Sequence, residues 1–156
     1  MKDLFLQLLR NDILIASVVS NTLAQLLKVV LSYAAEKKID WKILWSTGGN
    51  PSSHTSTVTT LTILLGARFG FDSPYFAISF VISSIVIIDA LSVRREVGKH
   101  AKTMNEIFRE TLLGKRLKEI IDIETFKELI GHTGSEVFMG FLVGTLIAAL
   151  DLIIVK

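Results

Sequence analysis

Three stretches of this sequence gather side chains that could hold and attack a phosphorus centre. The first is Gly48-Gly49-Asn50-Pro51-Ser52-Ser53-His54, leading into an apolar run. Glycines and a proline shape a loop, and two serines deliver it to a helix N-terminus. Unpaired N–H groups and a partial positive charge at that terminus suit a phosphate. His54, in the first turn, could pass a proton to an oxygen held there. The same residues would equally make a serine-capped turn with His54 at an interface. The second stretch is Asp89 followed by Arg94-Arg95. Arginines grip phosphate bidentately, although arginines beside a membrane span are also ordinary orientation anchors. An acid near a span end calls for a partner, and Arg94 or Arg95 is the nearest candidate. The third is Gly131-His132-Thr133-Gly134-Ser135-Glu136. His132 and Glu136 are four apart and share a helix face. A carboxylate behind an imidazole fixes its tautomer and prepares it as base or nucleophile. The plainer reading is an interfacial histidine beside a capping glutamate.

The elements that must position these residues are apolar. The chain has 156 residues, half of them hydrophobic and 21% charged, with a mean hydropathy of +0.52. Such values imply that charge and apolar surface are segregated into blocks, as a bilayer requires when a helix needs roughly 20 apolar residues to cross about 30 Å. Four blocks stand out: Ile13–Ala35, Thr55–Phe69, Pro74–Leu91 and Val137–Val155. Asp72-Ser73-Pro74 is a good cap with proline at the first helical position. The expected fold is all-α, a polytopic membrane bundle of about four transmembrane helices forming one domain over residues 1–156. Asp3, Arg10 and Asp12 interrupt the N-terminal apolar run, so no cleaved signal is read there. In the long charged loop, Met104, Ile107, Phe108, Leu112 and Leu117 recur at helical spacing, which predicts an amphipathic helix. Thr125-x-x-Glu128 could open a further short helix.

Four spans put both charged loops on one side and both termini on the other. The loop side carries twelve Lys and Arg, the other side four, so the positive-inside rule places the loops, and the three stretches above, at the cytoplasmic side of the cell membrane. In the first span Ser17, Asn21, Gln25, Lys28 and Ser32 form a polar stripe, for which interhelical hydrogen bonding is the expected role. His100 reads as solvated surface. Gly140 and Gly144 lie on nearly one face and allow close helix approach; with the four-span size they point to a homodimer. Absence of cysteine removes disulfides and thiolate chemistry, and a net charge of +2 gives no case for nucleic acid.

Taken together, STGGNPSSHTSTVT at 46–59, GFDSPYFA at 70–77, DALSVRREVGKHA at 89–101 and KELIGHTGSEVFMGFLVG at 127–144 resemble the divergent type 2 phosphatidic acid phosphatase (PAP2) family, related to acid phosphatases and vanadium-dependent haloperoxidases. They cover about half the chain. The superfamily's PSGH signature looks like Pro51-Ser52-Ser53-His54. Its histidine, acid and spaced glycines look like His132, Glu136, Gly140 and Gly144. The superfamily's Lys…Arg-Pro signature has no counterpart, since no arginine lies between Arg10 and Arg68, and Phe126 stands where an arginine precedes the nucleophile. Arg94, Arg95 and Lys127 are the candidates to replace them. The resemblance implies a phosphatase that uses no metal or other cofactor and forms a phosphohistidine. His132 would be the nucleophile oriented by Glu136, and His54 the acid. Ser52, Ser53, Gly49, Arg94 and Arg95 would bind phosphate, with Asp89 and Lys127 in support.

The expected function is therefore hydrolysis of a lipid phosphate or pyrophosphate at the bilayer surface. The alternative is a non-catalytic membrane protein that binds anionic lipid head groups or a partner protein.

Overall fold

The computed structural model describes residues 2–37, 43, 48–111, 116 and 131–155. Among them the regular structure is entirely helical: α1 (Lys2–Leu9), α2 (Asp12–Glu36), α3 (Ser53–Phe69), α4 (Pro74–Leu91), α5 (Val93–Glu110) and α6 (Gly134–Ile154). Local chemistry explains most boundaries. The Asn11 side chain accepts the N–H of Leu14 at 3.0 Å and starts α2. Ser73 accepts the N–H of Phe76 at 3.2 Å with Pro74 following, as the Asp-Ser-Pro sequence predicts. Gly70, at φ +93°, ends α3 with its N–H on the Gly66 carbonyl, a conformation that favours glycine.

α3 is the axis of the bundle, packed by α2, α4 and α6. Three helical stretches are long and apolar enough to cross a membrane: Asp12–Ala34, Pro74–Arg109, in which α5 continues α4, and Gly134–Ile154. α3 is not among them, although sequence reading counts it as a span. Its 17 residues rise about 25 Å, and they connect the same two ends of the bundle as its neighbours. Its composition differs because its surroundings do. Ser53, Thr55, Ser56, Thr59 and Thr60 are buried against other helices, so the helix carries hydroxyls where a lipid-facing one carries leucine.

The bundle is apolar outside and polar within. Ile78, Ile85, Phe138, Leu146 and Ile153 are more than half exposed, while Ser20, Ser56 and Thr60 are fully buried. A soluble protein buries the opposite set; helices in lipid gain nothing by hiding leucine from hydrocarbon, and they associate through small and hydroxylated residues. Ser20 and Ser56 share a hydrogen bond across α2 and α3. Thr60 Oγ1 donates to the Gly144 carbonyl at 3.0 Å, and the Thr62 and Ser83 hydroxyls meet at 2.7 Å. Gly140 and Gly144 are taken up within the chain: a Cβ on either would collide with the carbonyl oxygen of Ser52 or Ser56 on α3. One end is tied by Arg68, which pairs with Asp12 of α2 and, at 2.6 Å, with Asp151 of α6. The candidate residues lie at the other.

The amphipathic helix predicted in the long loop is α5, whose last residues include Met104, Ile107 and Phe108. Leu112, Leu117 and the Thr125-x-x-Glu128 start fall outside the described residues.

Candidate functional site

The end of the bundle opposite Arg68 is where the loop before α3, the α4–α5 junction and the start of α6 converge. Two backbone hydrogen bonds stitch it. The N–H of Ser52 donates to the carbonyl of Glu136 at 2.9 Å, and the N–H of His132 donates to the carbonyl of Ala90 at 3.1 Å. The first joins the turn bearing His54 to the first turn of α6. The second hangs His132 on the end of α4. Gly131 makes this approach feasible, since a Cβ there would come within 2.5 Å of the Arg95 backbone.

His132 is the best-defined member. Only 2% of it is exposed. Its Nδ1 lies 2.9 Å from Glu136 Oε2, and the same oxygen accepts the N–H of Thr133 at 3.2 Å, one half of a capping box completed by Thr133 Oγ1. Glu136 therefore caps the helix and holds the histidine at once, and the histidine is buried, not interfacial. With Nδ1–H directed at a carboxylate, the lone pair sits on Nε2. That atom is buried and has no hydrogen-bond partner among the described residues, and neither has Ser53 Oγ. Buried polar atoms are rarely left unpaired without a reason, and two of them lie at this end of the bundle.

The same end of the bundle carries cations and donors. Ser52 caps α3, its Oγ accepting the N–H of Thr55 at 3.3 Å. The N–H groups of Ser53 and His54 lie in the first turn, where helices leave them without an intrahelical partner. Arg94 Nε donates to Asp89 Oδ2 at 2.6 Å, the pairing anticipated for Asp89. That bond fixes the guanidinium and leaves its terminal nitrogens outside the pair. His54 is half-buried on the first turn of α3, ahead of its apolar stretch. Burial holds its imidazole below the ordinary 6.5, and the neighbouring Arg94, His132 and Lys28 add to this while Asp89 opposes it.

Lys28 is the residue that sequence reading under-rated. It is 2% exposed, Glu136 acts on it electrostatically, and its Cδ lies 3.7 Å from the position of a Cβ on Gly49. Gly49 turns at φ +91°, laying the loop over the lysine stem. The only signal in the sequence was a cation in a polar stripe. Two residues play other parts. Arg95 is exposed and contributes the backbone against which Gly131 rests. Lys127 lies outside the described residues. His100 is exposed, as expected. Among the described residues no three His, Asp or Glu side chains converge to hold a metal ion.

The model of the divergent PAP2 family matches residues 9–147, which takes in every element of this site. The chain belongs to the divergent PAP2 family. It is also similar to an uncharacterized membrane protein, YuiD, of Bacillus subtilis (strain 168), with 34% identity over 151 residues, 91% of this chain and 94% of that protein. No solved structure matches the chain significantly. This divergent PAP2 protein is thus a membrane protein; the motifs around His54, Arg94 and His132 meet at one end of its bundle, and the stretch 70–77 makes the α3–α4 turn at the other.

Proposed function

We propose that this protein hydrolyses a lipid phosphate or pyrophosphate through a phosphohistidine formed on His132, at the cytoplasmic face of the cell membrane. One observation carries the reading: His132 is oriented by Glu136 through Nδ1, while its Nε2 is buried and has no hydrogen-bond partner among the described residues, and the backbone of Glu136 is tied to Ser52, the cap of α3. A histidine serving only as a cap or an interfacial anchor would have no cause to present that nitrogen inward.

The chemistry follows from the geometry. The phosphate is held by the first-turn N–H groups of α3, Ser53 Oγ and the cations Lys28 and Arg94. Such preorganised donors supply much of the stabilisation in phosphoryl transfer. The Nε2 lone pair attacks phosphorus; the bond from phosphorus to the leaving oxygen breaks, and that oxygen takes a proton from His54. Glu136 stabilises the positive charge that develops on His132. Neutral His54 then removes a proton from water, the water oxygen attacks phosphorus, and the phosphorus–nitrogen bond breaks. Inorganic phosphate leaves with both histidines restored. Lys28 occupies the role left open by the missing Lys…Arg-Pro signature, reaching the site from α2. Twelve basic residues in the two loops support the cytoplasmic placement.

The test is phosphate release from a panel of lipid monophosphates and pyrophosphates by wild type, His132→Ala and His54→Ala in detergent and in vesicles. Vanadate-sensitive release that is lost in His132→Ala is expected. Full activity in both variants would sink the mechanism, and tight lipid phosphate binding without turnover across the panel would favour a non-catalytic binding protein.

A further inference from the structure

The faces that carry the site continue down the bundle as the walls of a groove. On α3, His54 is followed at helical spacing by Thr57, Leu61 and Leu65; on α2, Lys28 is followed by Gln25, Asn21 and Ser17. The groove between them has a volume of about 880 Å³, and its lower walls are made by Leu14, Val18, Leu61, Leu65, Phe69 and Tyr75. That is within the size of pockets that enclose a whole ligand, about 300–1,000 Å³. Its upper rim is polar: Asn21 Nδ2 donates to Thr57 Oγ1 at 3.0 Å. One turn higher, towards Lys28, Gln25 Oε1 is buried without a hydrogen-bond partner among the described residues. Phe69 and Tyr75, with ring centroids 5.1 Å apart, stand at the bottom.

We propose that this groove receives the hydrocarbon chain of the lipid whose phosphate occupies the His132 site, as one extended chain; this rests on the head-group reading above. Three features select that occupant. Below the cations of the site the wall passes from amide and hydroxyl at Asn21 and Thr57 to leucine at Leu61 and Leu65, the order of groups along a lipid phosphate, and polar groups return at the far end, at Asn11 and Asp12. The groove lies along α2, a helix long and apolar enough to span, and its rim residues Val18, Phe69 and Tyr75 are more than half exposed, so it opens to hydrocarbon. The walls are large side chains, whereas a second transmembrane helix docks against small ones, and Gly140 and Gly144 are already used by α3.

Length sets the specificity. From His54 to Phe69 the helix rises about 22 Å, against about 15 Å for half of the hydrocarbon core. The chain that fills the groove therefore passes the bilayer midplane. Burial of methylenes does not attract it, because the bilayer offers the same environment. The groove acts by shape, aligning a chain whose head group is already anchored.

The experiment is photolabelling of the full-length protein in phosphatidylcholine vesicles with hexadecyl phosphate carrying a diazirine near the chain end. The matching alcohol, without phosphate, is the comparison probe. The phosphate probe is expected to label residues 13–18 and 61–69 in wild type and in His132→Ala, and to lose that labelling in Leu61→Trp or under excess unlabelled hexadecyl phosphate. The alcohol is expected to label outward side chains such as Ile78, Ile85 and Leu146 without preference for the groove. A phosphate probe spread over those outward faces like the alcohol overturns the proposal, as does cross-linking of Leu61→Cys to a second copy. Groove labelling with no phosphate release supports the chain site and defeats only the hydrolytic reading.

Discussion

A methyl group added at Gly131 has nowhere to go. Built on the backbone, it lies 2.5 Å from both N and Cα of Arg95. Those atoms belong to the first turn of α5, which cannot retreat without unwinding. Ordinary contact begins at 3.4 Å, so the segment 131–132 must withdraw by about 0.9 Å. The N–H of His132 donates to Ala90 at 3.1 Å, and that withdrawal takes it beyond hydrogen-bonding range. Stranding this donor costs about 1–3 kcal/mol. The effect on rate is larger in proportion, because a misplacement of about 1 Å at a reacting atom costs on the order of 10²-fold. Gly134, three residues on, is the control: a Cβ there meets nothing within 4 Å. Gly131→Ala should therefore lower both the unfolding temperature and the rate of phosphate release. Gly134→Ala should leave stability within about 0.5 kcal/mol and the rate unchanged. Thermal unfolding in detergent and a phosphate-release assay read the two quantities separately. A Gly131→Ala protein that unfolds and turns over like wild type would refute the placement of His132 against the α4–α5 junction.

Glu136→Gln retains a side chain that completes the capping box but removes the charge behind His132. Stability should hold while kcat falls by on the order of 10³-fold or more; equal losses of stability and activity would leave Glu136 as a cap alone. The depressed His54 imidazole must be protonated to act as an acid, so kcat/KM should decline as pH rises through a value below 6.5. Arg94→Gln removes a positive charge that disfavours the imidazolium, and its alkaline limb should move to higher pH. A limb that stays in place in the pH–rate profile would take His54 out of the acid role. At the other end, Arg68→Met strands the carboxylates of Asp12 and Asp151. It should destabilise by about 3–5 kcal/mol, with partial recovery on adding Asp151→Asn, measured by thermal unfolding.

Much of the fold could be read from the sequence because a bilayer imposes a linear rule. Apolar length is visible residue by residue, so α2, α4 and α6 appear as blocks, and the Ser73-Pro74 start follows from capping chemistry. The pairing of His132 with Glu136 was legible from the spacing of four, although His132 stands just before the Thr133 cap and not on the helix, so that the capping box brings Glu136 back to it. That Asp89 needs an arginine was legible too, but the choice of Arg94 over Arg95 was made by the packing. The family resemblance suggested the chemistry and offered Arg94, Arg95 and Lys127 as its cations, but it did not point to Lys28.

What only the tertiary structure decided is everything that depends on distant segments meeting. α3 looks like a weak span because its hydroxyls lower its hydropathy; the packing shows that they are buried, and that lack of lipid contact is why they are tolerated. Gly140 and Gly144 announce a close approach, yet periodicity cannot say whether the neighbour is another copy or, as here, α3. Lys28 is the sharpest case. In the sequence it is one cation in a polar stripe, twenty-six residues ahead of His54. The turn at Gly49 lies against its stem, and Glu136 and His54 are the groups its charge acts with. No local pattern encodes that meeting, because it is fixed by how α2, α3 and α6 pack and not by any spacing along the chain.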